Sequence, residues 1–144
     1  MTDEYFMQQA LREAMKAFDD DEVPIGAVIV CNNTIIGKGY NQTERLKDAT
    51  AHAEMIAITA AENYLGNKYL HDCTLYVTVE PCVMCAGASA WTQVSRVVYG
   101  AAEEKFGFTR LEKNILHPKT LITKFVLQNE CADLMKNFFQ QKRN

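Results

Sequence analysis

This chain of 144 residues has no apolar run long enough to span a bilayer, and no hydrophobic segment of the signal-peptide kind near its start. A membrane partner is therefore not expected, and neither is a secreted protein. An even cysteine count is also missing. The five cysteines, Cys31, Cys73, Cys82, Cys85 and Cys131, cannot close a complete internal disulfide framework, so a reduced, cytoplasmic protein is expected. Nor is there an excess of positive charge. Fifteen Lys and Arg against 18 Asp and Glu leave a net charge of −3, so the molecule as a whole offers no electrostatic footprint for nucleic acid. Any polyanion contact must be local. The one basic cluster, Lys136, Lys142 and Arg143, equally suits a solvated last helical turn. Linkers, low-complexity tracts and internal repeats are absent as well. With 48% hydrophobic residues, residues 1–144 read as a single domain with a real core.

The patterning alternates between helix and strand. Met7, Leu11, Met15 and Phe18 recur at helical spacing with Ala10 and Ala14 beside them, predicting an amphipathic helix over 4–18. The acidic run at 19–22 ends it. Segments 25–31 and 34–40 are β-branched and apolar, and Asn32-Asn33 between them suits the left-handed backbone of a tight hairpin. An alanine-rich helix is expected from Thr50 or Ala51 to Gly66 or Asn67. A strand at 74–79, a helix at 82–90 introduced by Pro81 and a strand at 94–99 follow. Residues 101–118 predict one short helix before His117-Pro118. A strand at 121–127 and an amphipathic helix at 130–141 close the chain. The order implies an α/β fold, a mixed sheet covered by helices on both faces.

Two short motifs carry chemistry: His52-Ala53-Glu54 and Pro81-Cys82-Val83-Met84-Cys85. An imidazole and two thiolates are ligands that Zn²⁺ favours, and three protein ligands leave a fourth tetrahedral position open, as in catalytic sites. The i, i+3 spacing of Cys82 and Cys85 puts both sulfurs on one face of a helical turn. A helix N-terminus there favours thiolate over thiol. Glu54 is not a ligand in this reading. It stands two residues from His52, placed to move protons for a metal-bound water. Other readings remain open on spacing alone. Strand, C-x-x-C, helix is also the order of a dithiol redox site. A structural zinc would need a fourth ligand, which only Cys31, Cys73, Cys131, His71, His117 or a carboxylate could supply.

The H-x-E…P-C-x-x-C order resembles the signature of the zinc-dependent cytidine and deoxycytidylate deaminases. Three longer stretches extend the likeness to the bacterial tRNA-specific adenosine deaminases. They are Glu22-Val23-Pro24-Ile25-Gly26-Ala27, Thr50-Ala51-His52-Ala53-Glu54, and the run from Thr74 through Pro81-Cys82-Val83-Met84-Cys85-Ala86-Gly87. The resemblance implies a cytidine deaminase-like three-layer α/β/α fold with a mixed five-stranded sheet. It implies a homodimer with one Zn²⁺ per subunit, held by His52, Cys82 and Cys85, and Glu54 as the catalytic proton shuttle. The implied reaction is conversion of adenosine to inosine at the wobble position of an arginine tRNA, with the anticodon stem-loop as partner.

By matching position, Asn41 would hydrogen-bond the target nucleotide, Ile25 would wall the base and the Ala53 backbone would read its edge. Phe138, Phe139 and Arg143 would touch flanking loop nucleotides, in keeping with RNA recognition through splayed, stacked bases. From the residues alone, Asn41 could equally cap a turn, and Ile25 could face either core or pocket. Adjacent on a helix, only one of Phe138 and Phe139 can face the core. The chain departs from the family pattern at Ser89-Ala90-Trp91-Thr92-Gln93 and in the loop from Glu103 to Thr109. There, two adjacent acids near an RNA path are unfavourable unless they bind ribose hydroxyls or point away. The alternative substrate is a free nucleobase or nucleoside such as guanine or cytosine.

Overall fold

A computed structural model describes residues 1–143, apart from the Arg143 side chain. The first helix, α1 (Asp3–Asp19), starts where Thr2 Oγ1 accepts the Tyr5 N–H at 3.1 Å. Asp3 and Glu4 in its first turn complement the helix dipole. It stops where Asp21 turns left-handed, at φ 62°. Strands β1 (Gly26–Cys31) and β2 (Thr34–Tyr40) form the expected hairpin. Both turn residues, Asn32 and Asn33, have positive φ, the backbone that a two-residue hairpin needs to match strand twist.

The remaining elements are α2 (Ala53–Leu65), β3 (Cys73–Val79), α3 (Val83–Thr92), β4 (Arg96–Ala101), β5 (Leu121–Thr123) and α4 (Gln128–Arg143). The sheet order is β2-β1-β3-β4-β5. β1 runs antiparallel to both β2 and β3, whereas β3, β4 and β5 are mutually parallel. The mixed five-stranded sheet therefore forms as expected. Strand alternation splits the core into two layers. Ala27, Ile29, Leu75, Val77 and Val97 pack with Ala53 and Ala57 of α2 and Ala86 of α3. Val28, Val30, Tyr76 and Val98 pack with Phe6, Met7 and Ala10 of α1 and Cys131 of α4.

One close approach positions the functional end of the molecule. Helix α2 lies directly on Gly37 and Gly39 of β2, where a Cβ would collide with the carbonyl oxygens of Ala57 and Ala53. The alanine-rich face of α2 and the two glycines let backbone meet backbone, which sets the first turn of α2 against the sheet.

Several boundaries differ from expectation. α2 starts at Ala53 rather than at 50 or 51, and α3 at Val83 rather than 82, so His52 and Cys82 are the N-caps, each with extended backbone. Ile25 precedes β1 instead of opening it. β4 lies two residues later than the predicted 94–99. β5 ends at Thr123 rather than 127 because Phe125 and Leu127 adopt positive φ, which breaks an extended ladder. Between 101 and 118 the expected helix shrinks to a 3₁₀ turn, Phe108–Arg110. No described helix is long and apolar enough to cross a membrane.

Candidate metal and catalytic site

The N-cap positions of α2 and α3 meet beyond the C-terminal end of β3. His52 Nδ1 lies 3.6 Å from Cys82 Sγ and 3.5 Å from Cys85 Sγ. In a tetrahedral zinc site with ordinary Zn–S and Zn–N bonds, nitrogen and sulfur stand about 3.6 Å apart. The donor set therefore fits one such ion. His52, Cys82 and Cys85 are the group among the described residues able to hold a metal. Among the described residues no fourth His, Cys or carboxylate joins the group, which disfavours a closed structural site.

Without a metal the three donors share protons unequally. Cys82 is held down at about 4, first by the hydrogen bond it accepts from the Cys85 thiol and then by His52. Cys85 is pushed up by that same bond and by burial. Contact with Cys82 raises His52. Glu54, 4% exposed in the first turn of α2, is pushed up to about 7, chiefly by burial.

His52, Glu54 and Cys82 line a cavity of about 560 Å³, within the range of small-molecule sites. Val23 and Ile25 form an apolar wall, and Asn41, Ala53, Val79 and Met84 also line it. Asn41 serves the loops as well: its Nδ2 donates to the Val23 carbonyl at 3.3 Å and its Oδ1 accepts the Thr43 N–H at 3.4 Å. His52, Ala53, Glu54, Cys82, Cys85, Ile25 and Asn41 thus come together from four separate segments.

The end of α4 lies elsewhere. Phe138 is 5% exposed, edge-on to Phe18 and Phe139, while Phe139 is 44% exposed. Lys142 sits over the Phe138 ring and pairs with Asp21. A second groove there shares Val23 and Thr43 with the main cavity. The role expected for the Arg143 side chain falls outside the described residues.

Two residues that sequence reasoning missed hold the rim. Glu22, 1% exposed, accepts the N–H groups of Glu44 at 3.1 Å and Arg45 at 2.7 Å. Glu80, 5% exposed, accepts the Glu103 N–H at 3.1 Å through one oxygen. Its other oxygen takes the Thr109 N–H at 2.9 Å and hydroxyl at 2.7 Å. Gly107 leaves room for that carboxylate, which a Cβ would strike. A charged residue ending a buried apolar strand was the available signal for Glu80. Glu22 was hidden at the end of an acidic run that reads as a helix terminator.

Residues 1–101 match the family model described as the cytidine and deoxycytidylate deaminase zinc-binding region. The chain is 44% identical to the tRNA-specific adenosine deaminase of Aquifex aeolicus over 148 aligned positions, covering 100% of this chain and 98% of that one. It is 38% identical, with a TM-score of 0.85, to a structure from studies of A-to-I editing by tRNA:A34 deaminases; 90% of this chain and 98% of the other align. Guanine deaminase from Bacillus subtilis is also 38% identical, with a TM-score of 0.69 over 74% of this chain and 72% of that one. The donor set, the fold and a match over more than two-thirds of its length agree: this chain belongs to the cytidine and deoxycytidylate deaminase zinc-binding family.

Proposed function

We propose that the protein converts adenosine to inosine at the wobble position of tRNA, with an arginine tRNA anticodon stem-loop as substrate. The observation that carries the reaction class is Glu54, a buried carboxyl beside a three-donor metal site and facing a cavity that can take a base. The full-length likeness to tRNA-specific adenosine deaminases selects adenosine over free guanine.

His52, Cys82 and Cys85 would hold one Zn²⁺, which when bound supplies an activated water at neutral pH. Glu54 would take one proton from the water whose oxygen bonds to C6 and deliver it to the ring nitrogen beside C6, then take the second proton from the resulting hydroxyl and pass it to the amine, so that the C–N bond breaks, ammonia leaves and the inosine carbonyl forms. Val23 and Ile25 exclude water from one side of the base. Asn41 retains an unused amide N–H and acceptor capacity for the nucleotide, and the start of α2 presents the Ala53 backbone to its edge. Phe139, the exposed aromatic of the α4 pair, would stack against a flanking loop nucleotide.

A homodimer is part of this reading. Val83, Gly87 and Trp91 fall at i, i+4, i+8 on α3 with Met84 alongside. Trp91 is 84% exposed, and nothing lies within 4 Å of where a Gly87 Cβ would stand. Such an uncovered apolar helix face suits a second copy. The five free cysteines suit the cytoplasm.

The test is inosine formation by the zinc-loaded protein, comparing an arginine-tRNA anticodon stem-loop with free adenosine, guanine and cytosine. Turnover of the stem-loop is expected. Ammonia release from a free base with none from RNA would move the enzyme to nucleobase metabolism. Sedimentation at micromolar concentration is expected to show a dimer.

A further inference from the structure

Three of the five cysteines take no part in the metal site, and the sheet brings two of these together. Cys31 ends β1, Cys73 opens β3, and the register pairs them directly across the antiparallel ladder. The backbone of Cys73 turns its polar groups away from β1: its N–H donates to the Leu70 carbonyl at 3.2 Å and its carbonyl accepts the Ser95 N–H at 3.0 Å. Cys31 pairs on its other side with Thr34, at the closed end of the hairpin. The two cysteines therefore form a non-hydrogen-bonded pair, in which Cα atoms stand about 4.5 Å apart and side chains leave on one face. Disulfides span Cα separations of about 4.4–6.8 Å, so this pair is placed to bridge without a shift of the backbone.

The two thiols differ in access. Cys73 is fully buried in the core layer beneath α2, and Cys31 packs against that layer half-buried. Burial, and after it the neighbouring Cys31 sulfur, push the Cys73 thiol up to about 12. Its hydrogen is donated to the His71 carbonyl at 3.5 Å. Cys31 adjoins the exposed Asn32-Asn33 turn, so an oxidant arriving from solvent meets Cys31 first. Cys131 lies in the other core layer, packed on Gly100. From the pair, both strands run toward the cavity, which Ile25 and Val79 line six residues on, about 20 Å by strand rise. Chemistry at the pair is thus separate from the zinc donors.

We propose that Cys31 and Cys73 are a redox modification site, a thiol pair that a peroxide converts to a disulfide joining β1 to β3. The Cys31 thiolate attacks one peroxide oxygen and an S–O bond forms. The O–O bond breaks, and hydroxide leaves and takes up the thiol's proton as water, giving a sulfenic acid. The Cys73 sulfur then attacks the Cys31 sulfur: the S–S bond forms, the S–O bond breaks, and the Cys73 proton leaves with the hydroxide as a second water. Two thiols are oxidised and one peroxide is reduced. A dithiol reductant reverses the bridge by thiol–disulfide exchange. In a reducing compartment such a bridge is transient, and while it lasts it ties the β1–β2 hairpin to the middle of the sheet. The inference does not depend on which base the cavity takes.

The experiment is peptide mapping of the zinc-loaded protein after treatment with hydrogen peroxide, with remaining thiols alkylated before digestion. The expected product is a linked pair of peptides carrying Cys31 and Cys73, two hydrogens lighter than their thiol forms. Zinc should be retained, and dithiothreitol should make both thiols alkylatable again. Cys73→Ala is expected to stop the reaction at a Cys31 sulfenic acid, which a cyclic 1,3-diketone labels. Cys31→Ser is expected to leave Cys73 unoxidised at the peroxide dose that bridges the parent. The map of the unsubstituted chain carries the test if the buried Cys73→Ala variant fails to fold. Cys31 driven on to sulfinic acid beside a free Cys73 overturns the pairing, and so do two thiols that stay free while an added cysteine peptide is oxidised. A bridge that draws on Cys82 or Cys85, with zinc released, overturns it as well. Equal oxidation of Cys73 in the parent and in Cys31→Ser removes Cys31 from its role as the attacking thiol.

Discussion

The metal centre and the cavity rim are built in opposite ways. At the centre, two helix starts each bring a chemically committed cluster: His52 with Glu54, and Cys82 with Cys85. Residue type and local spacing almost specify the result there. At the rim, two irregular loops are held by two buried carboxylates, Glu22 and Glu80, which bind main-chain N–H groups 22 to 29 residues away in sequence. Nothing in a loop's own sequence announces which distant carboxylate will order it. The centre decides what reaction is possible, and the rim decides what reaches it.

Disabling the centre sharpens this contrast most. Glu54→Gln is expected to keep one zinc per chain and the native circular dichroism spectrum while turnover falls about 10²- to 10⁴-fold. Cys85→Ser should lose the zinc itself, measured by elemental analysis. Equal zinc loss in both variants would show that Glu54 is part of the metal-binding structure rather than a proton carrier.

The rim should fail differently. Glu80→Gln leaves the size unchanged but removes a buried charge holding three donors, for an expected cost of about 1.5–3 kcal/mol. The thermal midpoint should drop by roughly 5–10 °C, with KM for the stem-loop rising and zinc content unchanged. Loss of zinc in this variant would break the division between centre and rim. Glu22→Gln, with two donors, is expected to show the same pattern with a smaller shift.

The smallest effect lies far from both regions. Asp3 accepts two hydrogen bonds from Arg96, at 2.8 and 2.9 Å, and one from the Tyr76 hydroxyl at 2.7 Å. The Arg96 guanidinium holds its carboxyl below the ordinary 3.8. A carboxylate held down in this way stabilises the fold above that pH, and its contribution fades as the pH falls through and below it. Asp3→Asn should therefore cost under about 1 kcal/mol near neutrality, because the pair is partly solvated. The gap from the parent in urea unfolding should close on the acid side. A gap that persists into acid would mean Asp3 acts through capping or packing instead.

The elements show where sequence reading succeeds. Hydrophobic period placed α1 and the β1–β2 hairpin nearly to the residue, because both are decided by contacts within a few positions. It extended β5 four residues too far, since the apolar character of Phe125 and Leu127 outweighed any sign that both turn left-handed. It drew a helix near His117-Pro118 where one 3₁₀ turn at 108–110 stands. It also set the two key helices to begin a residue or more early. That error matters, because His52 and Cys82 are caps with extended backbone, and the cap geometry turns them toward each other.

By itself, then, the sequence determined the metal-donor set and the layered α/β plan. One imidazole and two thiolates are a donor set that holds Zn²⁺ with one position left open, and strand and helix periods sort the two core layers without knowledge of distant partners. Only the tertiary structure decided the order of the two rim loops and which of their side chains line the cavity mouth. Each depends on a buried carboxylate meeting backbone donors from another part of the chain, and such a pairing exists only once the fold has removed competing water.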